Sequence, residues 1–243
     1  MPLLSVNLDV VAAAREIGRS AEPDPAQAAV LAELAGADGI SIQLRRDRKF
    51  IRQRDLYVLK EVIKTKLILE MPPIDEFIER ALDVKPGMVT FVADQPSVGS
   101  EVAPIAFDAV PVDLGGVSSR FTAASVNVCF FIEPEGEQIK GAGKAGASAV
   151  LINCAGYTEA RTIEEAQTEL DRIDSAVQAA AKANVTVFCG RGISYKNVQP
   201  LVELGYVDEF VVGRAICARA MLVGFERSVR EMTQLVQAPL RTT

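Results

Sequence analysis

Short apolar runs alternate eight times along the chain with longer segments of helical pattern. The predicted strands cover residues 2–8, 39–44, 66–71, 88–92, 125–132, 149–153, 185–189 and 209–212. Nearly every run is apolar at consecutive positions, which is typical of strands covered on both faces and therefore of a parallel sheet. The pattern predicts an α/β chain closed into a (β/α)₈ TIM barrel with extra helices, formed by residues 1–243 as a single domain. An open doubly wound sheet is the alternative, disfavoured because no dinucleotide-binding fingerprint follows the first strand.

The segments between these runs predict helices with recognisable ends. Asp24 is placed to cap a helix that has Pro25 at its first position, and Thr162 with Glu165 forms a capping box. The predicted helices cover residues 26–35, 55–63, 74–82, 133–146, 162–184, 196–204 and 215–237. Residues 93–124 are rich in Gly, Pro and Ser, which predicts a mobile loop, a candidate lid, and a short helix.

Composition limits the partners and the compartment. A net charge of −6 argues against nucleic-acid binding, and no apolar run is long enough to span a membrane. The four cysteines are widely spaced, and the N-terminal residues lack the basic flank and apolar length of a signal peptide. We therefore expect free thiols, a cytoplasmic location and a small-molecule ligand.

Histidine is absent from the sequence. The usual acid/base group near neutral pH is therefore missing, and proton transfer would depend on a carboxylate, Cys, Lys or Tyr with a shifted pKa. Catalytic triads that need an imidazole and histidine-ligated metal sites are excluded. We expect no metal and no organic cofactor.

Two strand ends near the C-terminus share a pattern, because each apolar run stops at glycine and continues with arginine. They are Gly190-Arg191-Gly192 and Gly213-Arg214. Glycine lets the backbone approach a ligand closely, and a helix that follows would offer free N–H groups to an anion. The last two strands of such a barrel often hold phosphate. Two ordinary strand-to-helix turns are the alternative interpretation.

Polar residues at the other predicted strand ends complete a candidate site. Glu70 lies inside an apolar run, where a carboxylate needs a partner. A functional role is favoured over a structural ion pair with one of Arg45 to Arg48. Arg45, Arg48, Arg191 and Arg214 are expected to converge on an anionic ligand, whereas Arg46, Arg52 and Arg54 are expected to be solvated. Cys154 and Cys189 are better explained as small buried residues than as nucleophiles.

Several motifs in order resemble those of one enzyme family over nearly the whole chain. They include Val6-Asn7-Leu8-Asp9, Pro23-Asp24-Pro25, residues 35–40, Leu44-Arg45 with Asp47-Arg48, Leu69-Glu70-Met71, Lys85-Pro86, Gly190-Arg191-Gly192 and Gly213–Ile216. The chain resembles the pyridoxine 5′-phosphate synthase family of vitamin B6 biosynthesis. The resemblance implies a (β/α)₈ barrel with extra helices and a homo-oligomer, a dimer or an octamer. It implies a cofactor-free condensation of 1-deoxy-D-xylulose 5-phosphate with 3-amino-2-oxopropyl phosphate.

The same motifs also differ from the family's pattern, chiefly where the family has histidine. Val10, Gln43, Cys154, Arg191 and Arg214 stand at these positions. Ile152 replaces a family glutamate, and the family's Thr-Thr-Glu-Gly-Gly loop has no counterpart near residues 101–108. The scaffold and one phosphate site are retained, but the proton relay is not.

Two functions follow from this pattern. The first is a diverged transferase or condensing enzyme that binds a phosphorylated small molecule, with impaired or altered ring-closing chemistry. The second is a catalytically silent paralogue that binds such a ligand or modulates an active synthase by co-assembly. The expected catalytic residue is Glu70. The expected substrate- and phosphate-binding residues are Asn7, Asp9, Gln43, Arg45, Arg48, Gly190, Arg191, Gly192, Gly213 and Arg214.

Overall fold

Eight parallel strands close into a barrel in the computed structural model, which describes residues 1–94 and 102–238. Each strand pairs with the next in the sequence, and the last pairs with the first. The strands are β1 (Leu3–Asn7), β2 (Gly39–Gln43), β3 (Lys66–Met71), β4 (Met88–Phe91), β5 (Asn127–Ile132), β6 (Ala149–Asn153), β7 (Thr186–Gly190) and β8 (Glu209–Val212). The predicted (β/α)₈ barrel is confirmed, and the open doubly wound sheet is wrong.

The helices surround this barrel. They are α1 (Asp9–Ile17), α2 (Pro25–Leu34), α3 (Gln53–Val62), α4 (Asp75–Val84), α5 (Leu114–Ala123), α6 (Gly136–Lys144), α7 (Ala155–Thr158), α8 (Ile163–Lys182), α9 (Val198–Glu203), α10 (Arg214–Val223) and α11 (Phe225–Val236). Two predicted helix starts are confirmed. The Asp24 side chain accepts a hydrogen bond from the Ala26 N–H, and Thr162 and Glu165 form the capping box of α8.

Two helix predictions are corrected. Helix α1 was not predicted because Val10 and Val11 continue the apolar run of β1. The chain turns there because the Asn7 side chain accepts a hydrogen bond from the Asp9 N–H at 3.0 Å. The single C-terminal helix predicted for residues 215–237 is two helices, α10 and α11. Between them Gly224 has φ +88°, a left-handed conformation that ends a helix.

The segment from 93 to 124 contains the expected helix, α5, whose first turn is capped by Asp113 through the Gly116 N–H at 3.1 Å. Residues 95–101 lie outside the described residues, so the predicted loop mobility and lid remain predictions. Strand β5 begins at Asn127 rather than at Ser125, because Ser125 has φ +62° and forms a turn.

The apolar side chains form two cores, as in other barrels of this type. The outer core fills the space between strands and helices and includes the packed rings of Phe91, Phe121 and Phe130. The interior core fills the barrel itself with Ile68, Met88, Val92, Cys129, Phe131, Ala149, Leu151, Phe188 and Val211. Polar side chains lie above and below the interior core. The barrel is therefore packed through its middle, and ligand access is limited to its ends.

Among the described residues, no helix is both long enough and apolar enough to cross a membrane.

Candidate active site

A cavity of about 480 Å³ opens at the C-terminal ends of the strands. In barrels of this class that end carries the active site. The cavity lining includes most of the residues that the sequence predicted, namely Asn7, Asp9, Gly190, Arg191, Gly192, Gly213 and Arg214. The two glycine corners therefore lie at one site, as the interpretation of a shared anion site requires.

The corner after β8 combines a close backbone contact with a helix start. A Cβ atom at Gly213 would lie 2.9 Å from the Asn7 carbonyl oxygen, so β1 and β8 approach this closely because residue 213 is glycine. Helix α10 begins at the next residue, and its N-cap residue, Gly213, has no side chain to cap the first turn. Its N–H groups and positive dipole end are suited to an anion in the cavity.

The corner after β7 has a different backbone. Arg191 has φ +78° and Gly192 has φ +67°. A Cβ at residue 192 would lie 2.0 Å from the Thr158 Oγ1, so only glycine fits. No helix follows directly, because α9 begins at Val198. Instead, the Asn197 side chain donates to the Gly192 carbonyl at 3.1 Å and accepts from the Ser194 N–H at 2.7 Å. The helix expected over residues 196–204 is α9, but the turn held by Asn197 separates it from this corner, so only the β8 corner leads directly into a helix.

Glu70 lies near the C-terminal end of β3, beside the cavity-lining Arg191, with an exposure of 1%. One carboxylate oxygen accepts a hydrogen bond from the Ser41 hydroxyl at 2.8 Å. The other accepts from the Arg191 Nη2 at 2.7 Å and forms an ion pair. The alternative interpretation named one of Arg45 to Arg48 as an ion-pair partner, but the partner in the structure is Arg191. The partner is contributed by the distant strand end after β7.

Arg191 is held by two further features. Its guanidinium carbon lies 4.6 Å from the centre of the Phe131 ring, a cation–π contact. Among the described residues, its buried Nε has no hydrogen-bond partner. An unpaired buried donor is unfavourable for stability.

Asp9 is the second buried carboxyl group of the cavity, with an exposure of 4%. Its Oδ1 accepts from the Gln43 N–H at 2.9 Å, and its Oδ2 accepts from the Asn7 Nδ2 at 2.9 Å. Burial and the nearby charge of Glu70 raise the pKa of Asp9 to about 6, although its hydrogen bonds and the charge of Arg191 act in the opposite direction. Asp9 therefore titrates in the range usually covered by histidine.

Residues 4–238 match the family described as "Pyridoxal phosphate biosynthesis protein PdxJ". Three relatives named "Pyridoxine 5'-phosphate synthase" are similar over nearly their full length. The protein from Geotalea daltonii is 40% identical over 241 residues, which cover 98% of this chain and 99% of that protein.

The relatives from Geobacter sulfurreducens and Syntrophotalea carbinolica are 38% and 39% identical. The matched regions cover 98% and 97% of this chain respectively, and 99% of each relative. The chain belongs to the pyridoxine 5′-phosphate synthase family. A solved structure titled "Native KDPGal structure" shares the fold with a TM-score of 0.60 at 14% identity, covering 97% of this chain and 94% of that one.

Within this family framework, the four predicted arginines do not all converge. Arg191 and Arg214 line the central cavity, whereas Arg45 and Gln43 line a neighbouring one of about 470 Å³. The buried Arg45 contacts Asp47 at 2.8 Å and lies 5.0 Å from the Phe50 ring centre. Arg48 contacts Glu76 at 3.2 Å, and its side chain is 75% exposed. Arg48 lines neither cavity, because its φ of +55° belongs to a surface turn.

The remaining candidates behave as expected. Arg46, Arg52 and Arg54 are exposed, and Arg46 is paired with Asp94. All four cysteines are buried and unbridged. A hydrogen bond with Cys154 and burial raise the pKa of Cys189, which does not favour a reactive thiolate. The prediction that Cys154 and Cys189 are small buried residues is confirmed as to burial.

Sequence reasoning missed several side chains that shape this family site: Ser41, Phe131, Thr158 and Asn197. Ser41 had a detectable signal, because it is a polar residue within an apolar run. Phe131, Thr158 and Asn197 had no such signal in the sequence. Their roles depend on contacts with residues at least 30 positions away, or on a turn whose geometry its composition does not predict. Among residues 1–94 and 102–238, no group of three or more His, Cys, Asp or Glu side chains is arranged to hold a metal ion. The expected absence of a metal stays a prediction.

Proposed function

We propose that this family member binds a phosphorylated small molecule in the central cavity. The observation that carries the proposal is that Arg191, Arg214 and the uncapped start of α10 share one cavity. Guanidinium groups and a helix N-terminus are the protein groups best suited to a phosphate. The names of the curated relatives support a substrate of this class. Gly213 supports it further, because a side chain at this position would collide with Asn7.

The proposed enzyme is diverged, with impaired or altered condensation chemistry. Its support is the combination of a histidine-free sequence and the ion pair that engages Glu70. A base held by a guanidinium at 2.7 Å must release that contact, or act beside it, to accept a proton. Each lost acid/base group lowers a rate by roughly 10² to 10⁴. We therefore expect the reaction of the curated relatives to be slow here.

Calorimetric titration with 1-deoxy-D-xylulose 5-phosphate tests the binding site. The wild type is expected to bind, and Arg214→Gln is expected to raise the Kd roughly 10- to 100-fold, because a charge-assisted hydrogen bond contributes about 1.5–3 kcal/mol. Arg54→Gln is the matched control, since Arg54 is exposed and lies outside the cavity. Equal affinities for the wild type and both variants would contradict the proposed site.

Turnover with the two family substrates tests the altered chemistry. The relative from Geobacter sulfurreducens, assayed in parallel, provides the reference rate. We expect the present protein to be at least about 100-fold slower, as the loss of one positioned acid/base group already predicts. A rate within a fewfold of the reference would reject the impaired-chemistry part of the proposal and leave the binding part intact.

A catalytically silent paralogue is the second candidate. It is favoured by the engagement of both Glu70 oxygens, one by Ser41 and one by Arg191. This candidate predicts ligand binding without any chemical change of the ligand. It also predicts that mixing with the active relative alters the relative's activity, which a titration of one protein against the other would measure.

A further inference from the structure

The two buried carboxyl groups of the cavity have different partners. Glu70 is ion-paired with Arg191, whereas the described partners of Asp9 are neutral, the Asn7 amide and the Gln43 N–H. Asp9 is also fixed in place, because its own N–H is bound by the Asn7 side chain at the start of α1. One carboxyl group therefore has a cation as a hydrogen-bond partner, whereas the described hydrogen-bond donors of the other are neutral.

The charged and titratable groups that face Asp9 come from three elements. Glu70 on β3 raises its pKa, and Arg191 after β7 lowers it. Cys217 on α10 is the third neighbour, and burial followed by the charge of Asp9 raises the pKa of its thiol to about 11, so it is neutral. With burial as the largest effect, Asp9 keeps a proton up to about pH 6. Two carboxyl groups in such contrasting surroundings are the pattern that separates an acid from a base in one active site.

We propose that Asp9 is the proton-donating residue of this cavity and acts together with Glu70 on a bound phosphorylated ketone. This role rests on the proposed function, since it needs the ligand to occupy the same cavity. Asp9 and Arg191 both line that cavity, and Glu70 contacts Arg191. Asp9 thereby supplies the acid that an absent histidine would otherwise supply.

The proposed step is an enolisation. Once its contact with Arg191 is released, the Glu70 carboxylate takes a proton from the carbon next to the carbonyl, and the electron pair of the broken C–H bond forms the C=C bond. The Asp9 carboxylic acid gives its proton to the carbonyl oxygen, which becomes a hydroxyl group. Asp9 ends as the carboxylate and Glu70 as the acid. Reversal after exchange with D₂O returns deuterium to the carbon, so the step can be followed without any second substrate.

The experiment measures deuterium incorporation into 1-deoxy-D-xylulose 5-phosphate by NMR, with calorimetric titration of the same compound. Asp9→Asn keeps the size of the side chain and is expected to bind within about threefold of the wild type. Its exchange rate is expected to fall roughly 10²- to 10⁴-fold, the usual effect of losing a general acid. Asp113→Asn is the matched control, because Asp113 caps α5 on the surface and asparagine caps equally well.

The pH profile provides a readout that a structural role would not produce. The wild-type exchange rate is expected to decline above about pH 6 as Asp9 loses its proton, and the residual rate of Asp9→Asn is expected to lack this decline. This measurement on the wild type holds even if the variant folds poorly. Exchange by Asp9→Asn at the wild-type rate, or a wild-type profile without the decline, overturns the role of Asp9.

Binding and exchange fail separately in this design. Binding without any exchange in the wild type overturns the inference and leaves the proposed function standing. An absence of binding to the wild type overturns the proposed ligand and the role of Asp9 together.

Discussion

The two ends of the barrel interior hold nearly the same group of side chains. At the C-terminal end, Glu70 accepts from Ser41 and pairs with Arg191, which lies over Phe131. At the N-terminal end, a glutamate likewise accepts from a serine and pairs with a base over an aromatic ring. The members of this second group are Glu209, Ser5, Lys66 and Phe188.

Burial does not distinguish the two groups. Both glutamate side chains are 1% exposed, and the side chains of Lys66 and Arg191 are 25% and 24% exposed. The backbone does distinguish them. Lys66 is the first residue of a regular strand, whereas Arg191 follows its strand with φ +78° and lines the cavity.

The geometry of an ion pair inside a barrel does not by itself show whether the pair acts in stability or in function. The N-terminal group closes the base of the interior core and is expected to act on stability. The C-terminal group faces the loops in which such barrels place their chemistry. Its cation has a strained backbone and, among the described residues, a buried Nε without a hydrogen-bond partner, features that stability alone does not require.

The largest expected effect is at the N-terminal end. Glu209→Ala leaves Lys66 without its carboxylate and is expected to lower the free energy of unfolding by about 3–5 kcal/mol, without changing ligand affinity. Urea denaturation measures the loss. Adding Lys66→Met should recover part of it, because the unpaired charge is then removed. Glu61→Ala on the exposed face of α3 is the control, expected within about 0.5 kcal/mol. A loss of ligand affinity in Glu209→Ala would contradict a role in stability alone for the N-terminal group.

The next effect concerns the C-terminal end and depends on pH. Asp9 titrates near 6 when folded and near 3.8 when unfolded, so the folded state holds the proton more tightly. Its contribution to stability therefore falls as pH rises from about 4 to 7, by up to about 3 kcal/mol. Asp9→Asn removes this dependence. In urea denaturation at several pH values, the free energy of unfolding of the variant should rise relative to that of the wild type over this range.

One hydrogen bond from Asn7 is lost in Asp9→Asn, since two amide groups would face each other. This constant loss lowers stability at every pH and does not affect the slope. A stability difference between wild type and variant that is flat from pH 4 to 7 would contradict the raised pKa of Asp9.

The smallest effect compares the two serines directly. Ser5→Ala and Ser41→Ala each remove a hydroxyl that donates to a buried carboxylate, and each is expected to lower stability by about 2 kcal/mol. Ser41→Ala alone is expected to change ligand affinity or the exchange rate, because Ser41 donates to Glu70, which pairs with the cavity-lining Arg191. Ser119→Ala, an exposed position on α5, is the control. A functional effect of Ser5→Ala would contradict the division of roles.

Much of this fold could be predicted from the sequence. Strands covered on both faces are apolar throughout, so the sequence predicted their positions and the parallel sheet. The sequence also predicted the capped starts of α2 and α8, because a cap is a local hydrogen bond. It did not predict the start of α1, because the apolar run of β1 continues past the hydrogen bond between the Asn7 side chain and the Asp9 N–H.

The sequence by itself determined the barrel, the absence of an imidazole, and the two glycine corners, since each depends on residue types or on short-range pattern. Only the tertiary structure decided that Glu70 pairs with Arg191 rather than with its sequence neighbours, that Arg48 turns to the surface, and that the pKa of Asp9 is raised to about 6. The physical reason is that ion pairing and desolvation act through space. Barrel closure brings together Glu70 and Arg191, which are 121 positions apart, and no local sequence pattern predicts this contact.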